Sequence, residues 1–130
     1  MKSYAILYTS TLAPDTPLAA VTSILASARR FNQAHGITGL LIFDGSRFAH
    51  LLEGARDTVF ALLEKIRLDP RHAGMKTLYY ATVEQGRFNR FTTGTVSARQ
   101  PDVLEKLAGM EGAAALQYLL DMIPAFDLDR

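Results

Sequence analysis

Two polar side chains, Asn32 and His50, stand where the surrounding pattern expects apolar ones. A buried polar group without a partner costs roughly 1–3 kcal/mol, so something should bond to each of them. Taken alone, Asn32 is more often an amide bonded to a nearby backbone carbonyl than a ligand contact, and a strand histidine beside Phe48 and Leu52 is usually a satisfied core or edge residue. His35, His50 and His72 share no close metal-ligand spacing, so a metal centre is not expected. The hydroxyl of Tyr8 needs only one partner. Asp69-Pro70-Arg71-His72 has the composition of a solvated turn, and Arg29 and Arg30 near a helix C-terminus suit the helix dipole without any ligand. There is no Gly-rich phosphate loop, no His-Glu-x-x-His and no Gly-x-Ser-x-Gly elbow, and the chain has no cysteine for thiol catalysis or disulfides. An enzyme is not expected.

The elements that must position these groups follow from periodicity. Tyr4 to Thr9 alternates as a strand, with Tyr4, Ile6 and Tyr8 on one face and Ala5, Leu7 and Thr9 on the other. Thr16 and Pro17 suit an N-cap and first helical position, and Leu18, Val21, Leu25 and Ala28 fall on one stripe whose next member is Asn32. Gly36 suits the left-handed position past the helix end. Ile37 to Phe43, the Asp44-Gly45 turn signal and Arg47 to Leu52 read as a hairpin that Glu53-Gly54 ends. Val59, Leu62, Leu63 and Ile66 mark a second helix before Pro70, Lys76 to Val83 a fourth strand, and Phe91 to Ser97 a fifth after a turn-rich link from Glu84 to Arg90. From Pro101 two short helical pieces follow; the second carries Leu116, Leu119, Leu120 and Ile123, and Pro124 ends it.

The order is β-α-β-β-α-β-β with a two-helix extension, an α+β, ferredoxin-like arrangement whose two helices share one sheet face. At 130 residues, 48% of them hydrophobic, the chain is one domain's worth. Its net charge of +1, with both signs interspersed, sets up no field for nucleic acid or an anionic membrane. The N-terminal run is too short and too polar for a signal peptide and no stretch approaches bilayer length, so a cytoplasmic protein is expected.

Taken together, the features recur in a fixed order. Tyr8 and Ser10 in strand one, Arg29-x-x-Asn32 in the helix, Gly36-Ile37-Thr38-Gly39-Leu40-Leu41, Leu52-Glu53-Gly54, and Asp69-Pro70-Arg71-His72 form a set that resembles the BLUF family, blue-light sensor domains that use FAD. The resemblance runs from Lys2 to Val96 and is weakest in the fifth strand; the tail is similar to the extension of short, single-domain members. It implies a flavin-binding domain over residues 1–97, with residues 98–130 a helical extension of it. The isoalloxazine ring would lie between the two helices. Tyr8 matches the tyrosine that donates an electron and a proton to the excited flavin, and Asn32 the asparagine on the ring's carbonyl and imide edge. Arg29 belongs to the same helix motif, Asp69, Arg71 and His72 match the loop that helps hold the flavin, and Lys65 stands where many relatives have an arginine near the ring.

His50 departs from the family, occupying the place of its switching glutamine. Phe91 stands for a tryptophan, Thr93 for a methionine and Ala28 for a serine. A primary amide has a donor and an acceptor that it can exchange, whereas a neutral imidazole has one of each on opposite ring edges. The resemblance thus implies a kept pocket and an altered switch, and a protonated His50, donating from both nitrogens, would make the dark spectrum sensitive to acid. The implied function is light sensing through an unidentified downstream protein partner; the alternative is a light-insensitive interaction module. The Leu116 to Ile123 stripe would serve a homo-oligomer or simply pack on the open sheet face. An RNA-recognition module shares the strand order, but Arg47-Phe48-Ala49-His50-Leu51 is a poor copy of its stacking strand, and a small acyl-phosphate hydrolase on this fold would need an anion loop that is missing.

Overall fold

Successive side chains of a strand point to opposite faces, and β1 (Ser3–Leu12) uses both: Ile6 and Tyr8 enter one apolar cluster, Leu7 the other. A computed structural model of the chain describes residues 3–84 and 86–129. The outer limits of the expected 1–97 and 98–130 spans, the Lys2 end of the family resemblance and one position of the Glu84–Arg90 link lie outside the described residues.

Helix α1 (Ala20–Ala34) begins later than Thr16 and Pro17 suggest. Bonds of the i to i+3 kind, from Ala20 N–H to the Pro17 carbonyl (2.9 Å) and Val21 N–H to the Leu18 carbonyl (3.0 Å), make this stretch a turn, and among the described residues no side chain caps the helix. Leu18 is accordingly off the buried stripe, 64% exposed, and Ile24 is buried instead. Past the helix end, Gly36 has φ +69°, as its place in the sequence requires.

β2 (Thr38–Phe43) and β3 (Arg47–Gly54) form the hairpin, closed by the Asp44 carboxylate, which accepts from the N–H groups of Ser46 (2.9 Å) and Arg47 (2.7 Å). Gly39 is obligatory: its φ is +130°, and a Cβ would stand 1.9 Å from the Leu51 carbonyl oxygen. Glu53 and Gly54 do not end β3; they stay paired with Ala5 and Tyr4 of β1. Helix α2 (Arg56–Arg67) buries Val59 and Leu62. β4 (His72–Val83) starts four residues before the expected Lys76, because His72 and Ala73 already pair with Leu12 and Thr11.

β5 (Phe91–Val96), α3 (Val103–Ala108) and α4 (Gly112–Met122) follow, and a turn of 3-10 helix at Ile123–Ala125 leads to β6 (Phe126–Leu128). The sequence reading missed β6, since a three-residue strand after a proline carries no periodic signal.

The sheet order is β4-β1-β3-β2-β5-β6, antiparallel except for the β2–β5 pair. Helices α1 and α2 cover one face with Ile6, Tyr8, Leu41, Phe48 and Leu52 beneath them; α3 and α4 cover the other over Leu7, Leu40, Ile42, Ala49 and Leu51. This is the α+β, ferredoxin-like arrangement the order of elements implies. Leu116 and Leu119 are buried on that second face, with Leu120 and Ile123 packed beside them, so the sheet itself takes up the apolar stripe.

Candidate functional site

Register places the first two site residues side by side. Tyr8 of β1 is the direct cross-strand partner of His50 of β3, which in turn faces Leu41 of β2, itself opposite Thr93 of β5. These side chains form one transverse row on the face that α1 and α2 cover. The Tyr8 hydroxyl and His50 Nδ1 are hydrogen-bonded, both residues fully buried. Phe91 closes the far side of the imidazole with ring centroids 5.6 Å apart and planes at 60°.

Above this row lies a cavity of about 100 Å³. Its deep end holds Tyr8, His50, Leu41 and Asn32; Ile24, Phe31, Leu62 and Ile66 form apolar walls, and Lys65, Asp69, Arg71 and His72 rim it. Asn32 is 0% exposed, and its backbone carbonyl serves the helix end, accepting from Ile37 N–H at 2.9 Å. Its side chain does nothing comparable: among the described residues neither Oδ1 nor Nδ2 has a partner, and His50 Nε2 has none either. Three unpaired polar atoms thus lie at one cavity, an arrangement that native interiors rarely leave unsatisfied.

The electrostatics of the row are those of neutral groups. Burial pushes the Tyr8 phenol pKa well above its usual value. Burial, with the neighbouring His72 adding to it, pushes His50 down to about 3. The acid-sensitive dark spectrum expected from the sequence would therefore need a pH near that value; tertiary burial is what moves it there.

At the rim, the Ser10 hydroxyl and His72 Nδ1 lie 3.1 Å apart, and the His72 ring packs 4.7 Å from Phe48. Burial lowers the His72 pKa, opposed by the Asp69 carboxylate. Asp69 and Arg71 occupy each other: Arg71 Nη2 donates to Oδ2 at 2.7 Å and its backbone N–H to Oδ1 at 2.9 Å, which holds the Asp69 carboxyl below the usual carboxylate range. Lys65 Nζ sits 4.6 Å from the Phe31 ring centroid.

Of the eight residues singled out in the sequence, Arg29 alone is not on the cavity wall. It turns toward the tail, Nη1 donating to Thr93 Oγ1 at 2.6 Å and to Asp129 Oδ2 at 3.0 Å, while Thr93 Oγ1 donates to Asp129 Oδ2 at 2.7 Å. The sequence marks Glu53 only within the Leu52-Glu53-Gly54 motif and gives it no role; it is 1% exposed, and its carboxylate accepts from the Arg87 backbone N–H and guanidinium, each at 2.7 Å. It pins the link before β5, and hence Phe91. A charged residue following an apolar strand run was the available signal.

A ferredoxin-like domain with a polar-floored cavity between its two first helices is the class that fold and site define. The family described as "Sensors of blue-light using FAD" (BLUF) matches residues 4–94, and the chain belongs to that family of FAD-binding blue-light sensor domains. It is 32% identical over 85 residues to the blue light- and temperature-regulated antirepressor BluF of Escherichia coli (strain K12), a match covering 65% of this chain and 21% of that protein. The structure of Klebsiella pneumoniae BlrP1 with FMN and cyclic diGMP is similar at 31% identity and a TM-score of 0.63, over 67% of this chain and 23% of that one. The chain thus spans about a fifth of these relatives. The ground state of BlsA superposes with a TM-score of 0.81 over 98% of this chain and 91% of that one; at 22% identity the likeness is one of fold, and it includes the C-terminal helices. Among the described residues no helix is long and apolar enough to cross a membrane.

Proposed function

We propose that this chain binds FAD non-covalently in the cavity between α1 and α2, with Asn32 on the ring's carbonyl and imide edge. In this reading it works in the cytoplasm as a light sensor whose switch His50 has altered, and it passes its state to a protein partner. The observation that carries the binding site is the pair of orphaned Asn32 atoms at a cavity with apolar walls of Ile24, Phe31, Leu62 and Ile66 and a charged rim. An amide with an NH2 donor and a carbonyl acceptor complements a carbonyl next to an imide N–H, and apolar walls suit an aromatic ring, so the residues present fit the family's cofactor. His50, Lys65, Asp69, Arg71 and His72 would complete the site. Arg29 would act from outside it, tying α1 to β5. When bound, the flavin supplies blue-light absorption and an excited ring able to accept an electron.

The chain's own contribution is the Tyr8–His50 pair. Tyr8 holds its proton in a buried hydrogen bond to an imidazole that burial keeps neutral, so a tyrosine that loses an electron has Nδ1 of His50 as the immediate place for its proton. The light-insensitive interaction module is the second reading, and His50 in place of an amide is what favours it. An absorption spectrum of the purified protein, dark and then lit, tests both. Flavin absorption that falls in Asn32→Ala, with FAD bound more weakly, supports the site. Protein that purifies colourless and whose melting temperature does not rise with added FAD overturns it.

A further inference from the structure

We infer that His50 is locked in one tautomer and one orientation, Nδ1 accepting from Tyr8 and Nε2 carrying the ring's proton, so that the deep end of the cavity accepts only a ligand edge with a hydrogen-bond acceptor opposite Nε2. The part concerning the ligand rests on the flavin reading above; the part concerning the histidine does not.

The tautomer follows from counting protons in a closed space. A neutral imidazole has one N–H. Among the described residues the buried Tyr8 hydroxyl has a single hydrogen bond, to Nδ1. Were Nδ1 protonated, it would donate to the phenol oxygen and strand the phenol's own proton; with Nε2 protonated, the phenol donates to Nδ1 and both groups are satisfied there. The unpaired atom is then Nε2–H, on the wall it shares with Asn32.

The orientation follows from the chemistry of the ring. Turning a primary amide end for end exchanges an oxygen for an NH2, so both orientations can bond to a tyrosine. Turning an imidazole about Cβ–Cγ replaces Nδ1 with a carbon, and the bond to Tyr8 is lost. The ring is also confined, with Tyr8 at a centroid distance of 5.0 Å and Phe91 at 5.6 Å. His50 thus acts as a one-way device that carries the Tyr8 hydroxyl's direction through to the cavity as a fixed donor.

Nitrogen-15 NMR of the full chain with labelled histidine tests this, the His50 signals being those lost in His50→Gln. In flavin-free protein, across neutral and mildly acidic pH, Nδ1 should resonate as an unprotonated nitrogen and Nε2 as a protonated one. Tyr8→Phe should release the lock, shifting the tautomer ratio at least tenfold toward Nδ1–H. A protonated Nδ1 in the starting protein, or a ratio that Tyr8→Phe leaves unchanged, overturns the lock; should Tyr8→Phe not fold, the starting protein's Nδ1 and Nε2 signals decide alone. Added FAD should slow exchange of the Nε2 proton with water at least tenfold. FAD that is retained without slowing it overturns the acceptor requirement, whereas FAD that is not retained at all overturns the flavin reading and leaves the tautomer result standing.

Discussion

The two faces of the sheet are built from the same strands and end in opposite states. Under α3 and α4 the core is closed: Leu7, Leu51, Leu104 and Leu107 are fully buried and wholly apolar. Under α1 and α2 an equally buried layer contains Tyr8, Asn32 and His50, a cavity and three polar atoms without a partner among the described residues. A close-packed apolar face gains stability from every methylene, while the other leaves bonding capacity unspent, as the proposed flavin site requires. The lesson is that burial alone does not distinguish core from site; hydrogen-bond satisfaction does.

That contrast can be broken most strongly on the closed face. Leu104→Ala should cost about 2–5 kcal/mol in urea unfolding, the range for a fully buried leucine that leaves a cavity, with FAD retained by the folded fraction. On the open face, Asn32→Ala should leave the flavin-free protein as stable or more so, because it removes orphaned groups, yet lower FAD affinity by about 1–3 kcal/mol, roughly 5- to 150-fold. Isothermal titration together with urea melts would separate the two. Equal destabilisation by Asn32→Ala and Leu104→Ala would erase the distinction between the faces.

Acid should act on the open face through His50. Its folded pKa, about 3, lies below the unfolded value near 6.5, so between these the unfolded chain binds a proton that the native state refuses. Stability is fully present above pH 6.5 and falls as pH drops toward 3, by up to about 1.4 kcal/mol per pH unit from this group. His72, also lowered by burial, acts in the same direction. Melting temperatures of the starting protein and His50→Gln across this interval should show the shallower decline in the variant; parallel curves would mean that His50 is not the group responsible.

The smallest effect is spectral. With histidine at position 50, light should produce no reversible red shift of the flavin band, the response that the resemblance implies for a switching glutamine, because the imidazole has no second bonded orientation. His50→Gln should restore that shift, with Tyr8 and Asn32 already in place. A full reversible shift in the starting protein would show that histidine can do the amide's work.

Much of this was legible from the chain alone. Strand and helix periodicity is written within a few residues, so the hairpin at Asp44, the two-faced β1 and the inward position of Asn32 follow from spacing. The motif order, from Tyr8 to His72, pointed to the flavin-binding family that the match over residues 4–94 shows. What the sequence could not state is how distant segments meet. Tyr8 and His50 are 42 residues apart, and only the β1–β3 register makes them partners. Arg29 and Asp129 are 100 apart, and their ion pair, which takes Arg29 away from the cavity, exists because β6 adds to the sheet edge. The low pKa of His50 likewise belongs to no local stretch: it comes from burial, with His72 of another strand adding to it, and burial of that kind is a property of the assembled fold.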